Sequence, residues 1–467
     1  MNRNITLILF FILGQVIFAQ HKRTNYTSAK KITLKECLQI VVANNTILKA
    51  ADADIDIARA QLGQAKSGLY PRLTLESKLI ATDEPPNFIF PAFKMDVGKF
   101  NLGTIAFDVP PIDVPEQNIK LADQLSAFSN INLIYPLFTG GKISSLIDQA
   151  TSNIHLTQNE AEDKKNKLLV NVATLYSALI LSKTIYNLAD DFDERMQVTL
   201  NLTKEMYETG SGSVTKLDYL KNKLLVESIR GIKFELQNKF SETEITLKYL
   251  LDIDNNTELV PADDSLSIEL NNYDAENLML IFNKQNPTNK KIFNAQSIFK
   301  SKLNEAQSGY LPSVGLFGGY QRIDNSYKYG MVTKENKNSF MVGIGLQFPI
   351  FEGFYTDAKV EEIEAGIRKL EFEKELFNKT SLFLINRLLN DLSNSYSIIE
   401  SSKEAMFTAE ENLALTKRAY QNDLADVSEF IQSQMFSTIT KIIYNIRKFE
   451  YLTKNYQLKL VTGESLL

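Results

Sequence analysis

Side chains that could carry out chemistry are scarce and scattered in this 467-residue sequence. There are two histidines, His21 and His155, and one cysteine, Cys37. The sequence contains no His-x-x-x-His pair, no Cys-x-x-Cys pair and no Gly-x-Ser-x-Gly turn, and Gly343-Ile344-Gly345 lacks the third glycine of a dinucleotide-binding loop. Carboxylates are plentiful, but they stand near lysines on helical patterns, which is typical of a solvated surface. The sequence therefore predicts no catalytic residue, no metal centre and no cofactor.

The charge balance gives no reason to expect a nucleic-acid partner. The chain carries 51 basic and 56 acidic residues, a net charge of −5, whereas nucleic-acid binding depends on an excess of positive charge. The single cysteine excludes an intrachain disulfide. A hydrophobic fraction of 44% is sufficient for a large core.

The N-terminus predicts a signal peptide over residues 1–19. Arg3 supplies the positive charge, residues 5–18 are apolar, and Ala19 offers a small residue for cleavage. After it we expect no run long enough for a transmembrane helix, because polar residues interrupt the best candidate, between Lys167 and Lys183. An exported chain of this kind is periplasmic, extracellular or an outer-membrane barrel.

The chain is a tandem repeat. The turn that ends in Pro71 recurs at Pro312, an offset of 241 (312 − 71), and the joint at Pro136 recurs at Pro349, an offset of 213 (349 − 136). A fixed order of recurring motifs indicates two copies of one structural unit. The first repeat covers 20–251, a linker covers 252–273, and the second repeat covers 274–467.

Each repeat predicts a helix of about 35 residues, two strands and two very long helices. Leu168, Val172 and Leu175 are spaced by four and three, the pattern that buries a seam between coiled helices. A helix over 141–207 would span roughly 100 Å, more than a globular core requires. The first repeat predicts helices 33–68, 141–207 and 214–251 and strands 71–82 and 126–138. The second predicts helices 274–309, 354–420 and 427–463 and strands 313–323 and 340–351.

The strand patterns favour a membrane β-barrel. In 340–351, Phe340, Val342 and Ile344 alternate with Met341 and Gly343, and the length is that of a tilted membrane strand. Four strands cannot close a barrel, and an open edge cannot face lipid. The protomer must therefore assemble as two, three or more copies, and the pattern alone leaves the number open.

The first repeat carries 28 extra residues, the difference of the two offsets (241 − 213), within 82–125. Six of the twelve prolines lie in this segment, and we expect them to prevent regular ladder pairing. Phe88, Phe90 and Phe93 are too apolar for a bare solvated loop. One hypothesis is an outward-facing loop that folds over the barrel mouth or packs between protomers, and the other is a disordered loop.

Several local motifs occur in the same order in both repeats. Leu69-Tyr70-Pro71 enters the first strand, and Pro136-Leu137-Phe138-Thr139-Gly140 and Pro349-Ile350-Phe351-Glu352-Gly353 join strand to helix. With Ala43-Asn44-Asn45 in the short helix, this pattern resembles the TolC family of outer-membrane efflux proteins over about 32–463. The resemblance implies a mostly α protein with a membrane β-barrel, in which a homotrimer forms a twelve-stranded barrel and a long α-helical tunnel.

The resemblance also implies a function and partners. The implied function is that of an outer-membrane exit duct of a tripartite efflux or type I secretion system, which would be a passive conduit for small molecules or secreted polypeptides. The implied partners are a periplasmic adaptor (membrane fusion) protein, an inner-membrane transporter of the RND, ABC or MFS type, and outer-membrane lipid. The acidic linker 252–273 is then either a plain solvated connection or part of an equatorial belt.

The breaks between the long helices are the candidate functional positions. In the family these turns meet the adaptor, which points to Gly210, Ser211, Gly212, Asn422 and Asp423. Polar residues just beyond them close the tunnel, which points to Tyr420, Glu429, Lys216 and Asp426.

At these breaks Asp426 is expected to cap the next helix and Glu429 to complete a capping box, as Thr215 and Asp218 can do in the first repeat. Ala425 and Gln432 depart from the family's gate pattern. Lys216 and Glu429 occupy equivalent positions (429 − 216 = 213) with opposite charges, so we hypothesise a contact between them within or between protomers.

Two other functions stay open from the sequence. One is a structural periplasmic coiled-coil protein without transport activity, and the other is a secreted enzyme on a helical scaffold. Enrichment in outer-membrane fractions and heat-modifiable migration separate a duct from a coiled-coil protein. The enzyme hypothesis needs a catalytic cluster that the sequence does not contain.

Overall fold

A computed structural model describes residues 28–210, 214–269, 273–422 and 424–467. The predicted signal peptide lies outside these residues. The chain divides into two compact units, and each is discontinuous in sequence. The helical unit comprises the residues up to 51, 161–287 and 378–467, and the sheet unit comprises 52–160 and 288–377.

The described residues form the following helices and strands. The helices are α1 (Leu34–Asn44), α2 (Thr46–Ser67), α3 (Lys142–Glu208), α4 (Lys216–Leu251), α5 (Ala275–Gln285), α6 (Pro287–Gln307), α7 (Tyr355–Gln421) and α8 (Val427–Thr462). The strands are β1 (Ser28–Ile32), β2 (Arg72–Ala81), β3 (Asn87–Phe90), β4 (Phe93–Met95), β5 (Lys99–Leu102), β6 (Ile105–Asp108), β7 (Ile112–Val114), β8 (Gln117–Lys120), β9 (Leu125–Phe138), β10 (Thr257–Pro261), β11 (Ser313–Asn325) and β12 (Asn338–Gln347). The long helices α3 and α7 contain 67 residues each.

The short helix predicted at the start of each repeat is in fact two helices, so the prediction of one unbroken helix is wrong. The break falls at Asn45, whose Nδ2 donates to the carbonyl of Leu250 at 2.9 Å while its Oδ1 accepts from the Ile47 N–H at 2.9 Å. Asn286 repeats the arrangement by donating to the carbonyl of Val461 at 2.8 Å. Such a side chain competes with the helical ladder, and it ties each break to the last turn of α4 or α8.

The core of the helical unit contains the apolar seam predicted for α3. Leu168, Val172 and Leu179 are at most 5% exposed and pack in one cluster with Leu247 of α4 and Leu259 of β10. An 18-residue window of α3 reaches a mean hydropathy of 1.6, which suits a membrane span by length and composition, although 56% of the window is buried. The expectation that no such run exists is therefore wrong, but the burial is that of a core helix.

The acidic linker is packed rather than merely solvated. Its strand β10 pairs in parallel with β1, and Leu259 and Leu266 are buried. Glu244 of α4 accepts from the Leu259 N–H at 2.9 Å and forms an ion pair with Lys248 at 2.6 Å, with both charged side chains 1% exposed. The hypothesis of a plain solvated connection is therefore wrong for the described part of the linker.

The sheet unit contains a four-stranded antiparallel sheet in the order β12-β11-β9-β2. One hairpin comes from each repeat, and β9 and β11 join the two hairpins over twelve residue pairs. The strands β9 and β12 lead into the long helices α3 and α7. Only one register irregularity interrupts the β9–β11 pairing, between Val314 and Gly315.

The proline-rich insertion forms a hairpin of three short ladders, so the expectation that its prolines prevent regular pairing is wrong. Strand β3 pairs with β8, β4 with β7, and β5 with β6. The register is continuous through all three ladders, from Asn87↔Lys120 to Leu102↔Ile105. Pro85 and Pro86 precede the first ladder, and the other four prolines lie between the ladders, where no hydrogen-bond donor is needed. The disordered-loop hypothesis therefore also fails.

Candidate functional site

One face of the four-stranded sheet is apolar and exposed in the single chain. Since side chains alternate along each strand, the register places Leu75, Ile131, Tyr320 and Phe340 in one row across all four strands. All four side chains are exposed, Leu75 by 73% and Phe340 by 76%. A face this apolar requires an apolar environment rather than water.

The opposite face of the sheet is mostly polar or small, although Ile134, Phe317 and Met341 also lie on it. Here the register aligns Glu76, Asn130, Gln321 and Ser339. The ring of Phe317 covers Gly343 so closely that a Cβ atom on the glycine would lie 2.4 Å from it. A sheet with one lipid-like face and one water-like face has the pattern of an outer-membrane barrel wall.

The strands β2 and β12 leave the sheet with two open edges. Within the described residues the sheet ends at these strands. Open edges cannot face hydrocarbon, because their backbone groups would lack hydrogen-bond partners. In hydrocarbon both edges would therefore need further strands to pair with.

The turn after α3 contains the first group of candidate residues. Gly210 has φ +69°, and Ser211 and Gly212 lie outside the described residues. Thr215 and Asp218 form the predicted capping box of α4: Thr215 Oγ1 accepts from the Asp218 N–H at 3.2 Å, and the Asp218 carboxylate accepts from the Thr215 N–H at 3.1 Å and hydroxyl at 2.6 Å. The hydrogen bond from the Thr215 side chain lowers the pKa of Asp218.

The turn after α7 contains the second group. Asn422 bonds back to the carbonyl of Arg418 at 2.8 Å, and Asp423 lies outside the described residues. Asp426 caps α8, as predicted, by accepting from the Glu429 N–H at 2.8 Å. The expectation that Glu429 completes a capping box is wrong. In a capping box the Glu429 carboxylate would accept a hydrogen bond from the Asp426 backbone N–H, and it would then lie close to the negatively charged Asp426 carboxylate. In the first repeat the capping residue, Thr215, is neutral, so this repulsion does not arise.

Tyr420 is half-buried at the end of α7. Its ring stacks on Phe430 of α8 with centroids 5.1 Å apart and planes 8° from parallel, and it packs against a cluster that includes Met196 and Ile431. Tyr207, its equivalent in the first repeat, stacks on Tyr219 at 6.1 Å. Sequence reasoning missed both partners, although an aromatic residue on each side of a helix break was the available signal.

Lys216 is an exposed residue in the first turn of α4, and Glu429 is an exposed residue in the first turn of α8. In the described part of the chain, no ion pair within 4.0 Å joins them inside one protomer. The version of the predicted contact that lies within one protomer is therefore not formed, and the version between protomers stays a prediction.

Comparisons with known proteins agree with this architecture. The family model for the outer membrane efflux protein matches residues 117–251. The outer membrane protein TolC of Vibrio cholerae is 20% identical over 362 residues, which are 75% of this chain and 80% of that protein. A membrane protein of Pseudomonas aeruginosa has a TM-score of 0.73 at 17% identity and covers 94% and 93% of the two chains. The CmeC outer membrane channel of Campylobacter jejuni has a TM-score of 0.71 at 14% identity, covering 97% and 93%.

The fold and the two-faced open sheet are similar to those of outer-membrane channel protomers. Residues 117–251 thus match the outer membrane efflux protein family, and the chain as a whole is similar to TolC and shares the fold of outer-membrane channels. The similar proteins named above are outer-membrane proteins and channels. The family consists of channel proteins rather than enzymes.

Proposed function

We propose that three copies of this chain close a twelve-stranded barrel and form a passive conduit in a tripartite efflux or type I secretion system. The two open edges of a sheet with one apolar and one polar face carry this proposal. Pairing β2 of one copy with β12 of the next satisfies the backbone groups of both edges. The apolar row then faces lipid and the polar row faces the lumen.

The proposed partners are a periplasmic adaptor and an inner-membrane transporter of the RND, ABC or MFS type. Energy comes from the transporter, so the duct itself needs no catalytic residue, metal or cofactor. The exposed turns after α3 and α7, which include Gly210 and Asn422, are the proposed adaptor contacts. The tripartite systems of efflux channels with this fold support this assignment.

Site-specific photo-crosslinking in cells tests the proposal. A photoreactive residue at Asn422, whose side chain is exposed, should yield an adduct with the adaptor under native expression. The same residue at Lys359, a half-exposed position on α7 in the sheet unit, is the control and should not yield that adduct. A structural coiled-coil protein without transport activity would give no adaptor adduct at Asn422, and the chain would not restore export to a deletion strain.

A further inference from the structure

The two hairpins of the four-stranded sheet have the same internal register. In the first repeat Arg72 pairs with Ile134. In the second repeat the equivalent residues, Ser313 (72 + 241) and Gln347 (134 + 213), pair with each other. The agreement continues through all ten residue pairs of each hairpin. The offsets of the sequence repeat therefore relate backbone positions in the structure as well as motifs in the sequence.

The chain itself forms only one of the two junctions that its repeats allow. Strand β9 of the first repeat pairs with β11 of the second, as in Ile134↔Phe317. The equivalent junction of the second repeat would join β12 to β2, and within the described residues both strands are sheet edges. The offsets convert Ile134↔Phe317 into Gln347 (134 + 213) opposite Glu76 (317 − 241). The internal junction thus specifies a register for β12 of one copy against β2 of the next.

This register keeps the two faces of the sheet separate. It sets Gln347 opposite Glu76 on the polar face. It converts Ile131↔Tyr320 into Ile344 (131 + 213) opposite Leu79 (320 − 241) on the apolar face. A slip of one residue would instead set apolar side chains of one strand beside polar side chains of the other. The separation of the faces supports the register independently, because it played no part in obtaining it.

The turn after β9 shows how the start of a long helix packs at such a junction. A Cβ atom on Gly140 (φ +62°) would lie 2.8 Å from the Cβ of Leu311, so the two turns touch closely. Around the equivalent Gly353 (140 + 213; φ +64°), no atom of the described residues beyond its chain neighbours lies within 4 Å of such a Cβ. The equivalent of Leu311 is Tyr70 (311 − 241), which is 68% exposed. The space beside Gly353 therefore corresponds to the space that Leu311 fills in the internal junction.

A hydrogen bond between helices repeats the same relation with the residue types exchanged. Gln149 of α3 donates from Nε2 to Glu305 Oε2 of α6 at 2.8 Å. The equivalent residues are Glu362 of α7 (149 + 213) and Gln64 of α2 (305 − 241). Both are exposed in the single chain, whereas Gln149 and Glu305 are half-buried. The amide and the carboxylate have changed places, so the same donor–acceptor pair can form between copies.

We propose that the interface between copies repeats the internal β9–β11 junction residue by residue. Three pairs define it, each with the second residue on the next copy: Gln347–Glu76, Gly353–Tyr70 and Glu362–Gln64. This inference rests on the proposed function, but it applies to any number of copies that closes the barrel. A head-to-tail interface of this kind generates a ring when its rotation closes.

Disulfide crosslinking of the assembled protein with a water-soluble oxidant tests the register. Gln347→Cys combined with Glu76→Cys should give disulfide-linked oligomers, because directly opposite residues lie within disulfide reach. The matched pairs combine Gln347→Cys with Thr74→Cys or with Lys78→Cys, which lie on the same face but about 7 Å further along the strand. We expect at least about tenfold less crosslinking from them. Native Cys37 is fully buried, and the single-cysteine variants control for it.

A second measurement tests the helix pair outside the sheet. Gln64→Cys combined with Glu362→Cys should be joined between copies by a short bifunctional maleimide. Gln64→Cys with Lys369→Cys is the matched control. Lys369 lies two turns further along the same face of α7, about 10 Å away, and its side chain is 77% exposed. The control pair should therefore crosslink much less.

Preferential crosslinking at Thr74 or Lys78 would overturn the register and leave the ring intact. The proposal also fails if an oligomeric protein, as shown by native mass spectrometry, gives no crosslink at any of the three strand positions. If the strand variants do not assemble, equal crosslinking of Gln64→Cys with Glu362→Cys and with Lys369→Cys overturns it. A parent protein that is a stable monomer would instead contradict the proposed duct, and the interface with it.

Discussion

Lys216 and Glu429 are the two residues on which the proposed gate depends. Since no ion pair within 4.0 Å joins them among the described residues of one protomer, a gate contact between them would have to form between neighbouring copies. We predict that Glu429→Lys raises single-channel conductance in planar bilayers, because like charges would then repel at the entrance. Each exposed pair contributes only about 0–1 kcal/mol, but repetition around a tube can shift the population towards a closed state.

The reversed pair serves as the control for this gate. Adding Lys216→Glu to Glu429→Lys should partly restore the low conductance, because opposite charges face each other again. If the single and the double variants both conduct like the parent, the two residues are surface charges and the gate lies elsewhere.

Asp218 makes the start of α4 sensitive to acid. Its ionised carboxylate is hydrogen-bonded by Thr215 in the folded protein, so its pKa is lower there than in the unfolded chain. The stabilisation is therefore present above the unfolded pKa and is lost as the pH falls through the lowered folded pKa. Hydrogen exchange in the first turn of α4 should accelerate over that acid range, relative to the intrinsic rate.

Thr215→Ala provides the comparison for this capping box. It removes the cap and should cost about 1 kcal/mol of local stability. In that variant the acid-dependent loss of protection in α4 should be largely absent. Retention of the full pH dependence would assign it to another group.

At the scale of elements, the insertion hairpin is the feature that most distinguishes the first repeat from the second. Its tip exposes large apolar side chains, among them Phe100 by 63% and Leu102 by 66%. Three such hairpins in a trimer would have apolar surface to bury over the barrel mouth or between protomers. Replacing residues 87–120 by a short turn should therefore raise conductance, as measured in planar bilayers.

A substitution confined to the hairpin turn is the control, because it alters the sequence of the hairpin without removing its strands. Gly103 and Thr104 connect β5 to β6, and replacing them with Asn-Gly retains a two-residue hairpin turn. This variant should conduct like the parent. Unchanged conductance after removal of the whole hairpin would exclude a role as a lid.

The two faces of the sheet should respond differently to charge. Val342 lies on the apolar face and is 63% exposed in the single chain. Val342→Lys should destabilise the assembled barrel by about 2–4 kcal/mol if the residue lies near the bilayer midplane. The loss would appear as a smaller heat-modifiable oligomer fraction.

Gln321→Lys is the matched variant on the polar face, where the register pairs Gln321 with Ser339. A lysine there would face the lumen and should leave the oligomer intact. Equal effects of the two substitutions would contradict the assignment of the faces.

At the scale of the whole molecule, closure requires association. Four strands per chain cannot form a barrel, and three copies supply twelve. Native mass spectrometry in detergent should show a trimer. A stable, folded monomer in lipid would exclude the barrel, whereas a closed ring of another number would exclude only the trimer.

Much of this architecture could be predicted from the sequence, because it depends on local periodicity. The spacing of Leu168, Val172 and Leu175 predicts a long helix, and the alternation of Phe340 to Ile344 predicts a two-faced strand. The helix α3 begins at Lys142 and ends at Glu208, each within one residue of the prediction. The duplicated motifs carried the resemblance to efflux channels, and the family match and the fold confirm it.

Only the tertiary structure decided the features that depend on residues far apart in the chain. Asn45 breaks a helix because it bonds to Leu250, and Tyr420 is positioned by stacking on Phe430 across the turn. Asp123 looks like any loop acid in the sequence, and its burial arises where the hairpin base meets the end of β11. Local patterns determine which elements form, whereas burial and partners depend on contacts that sequence periodicity does not contain.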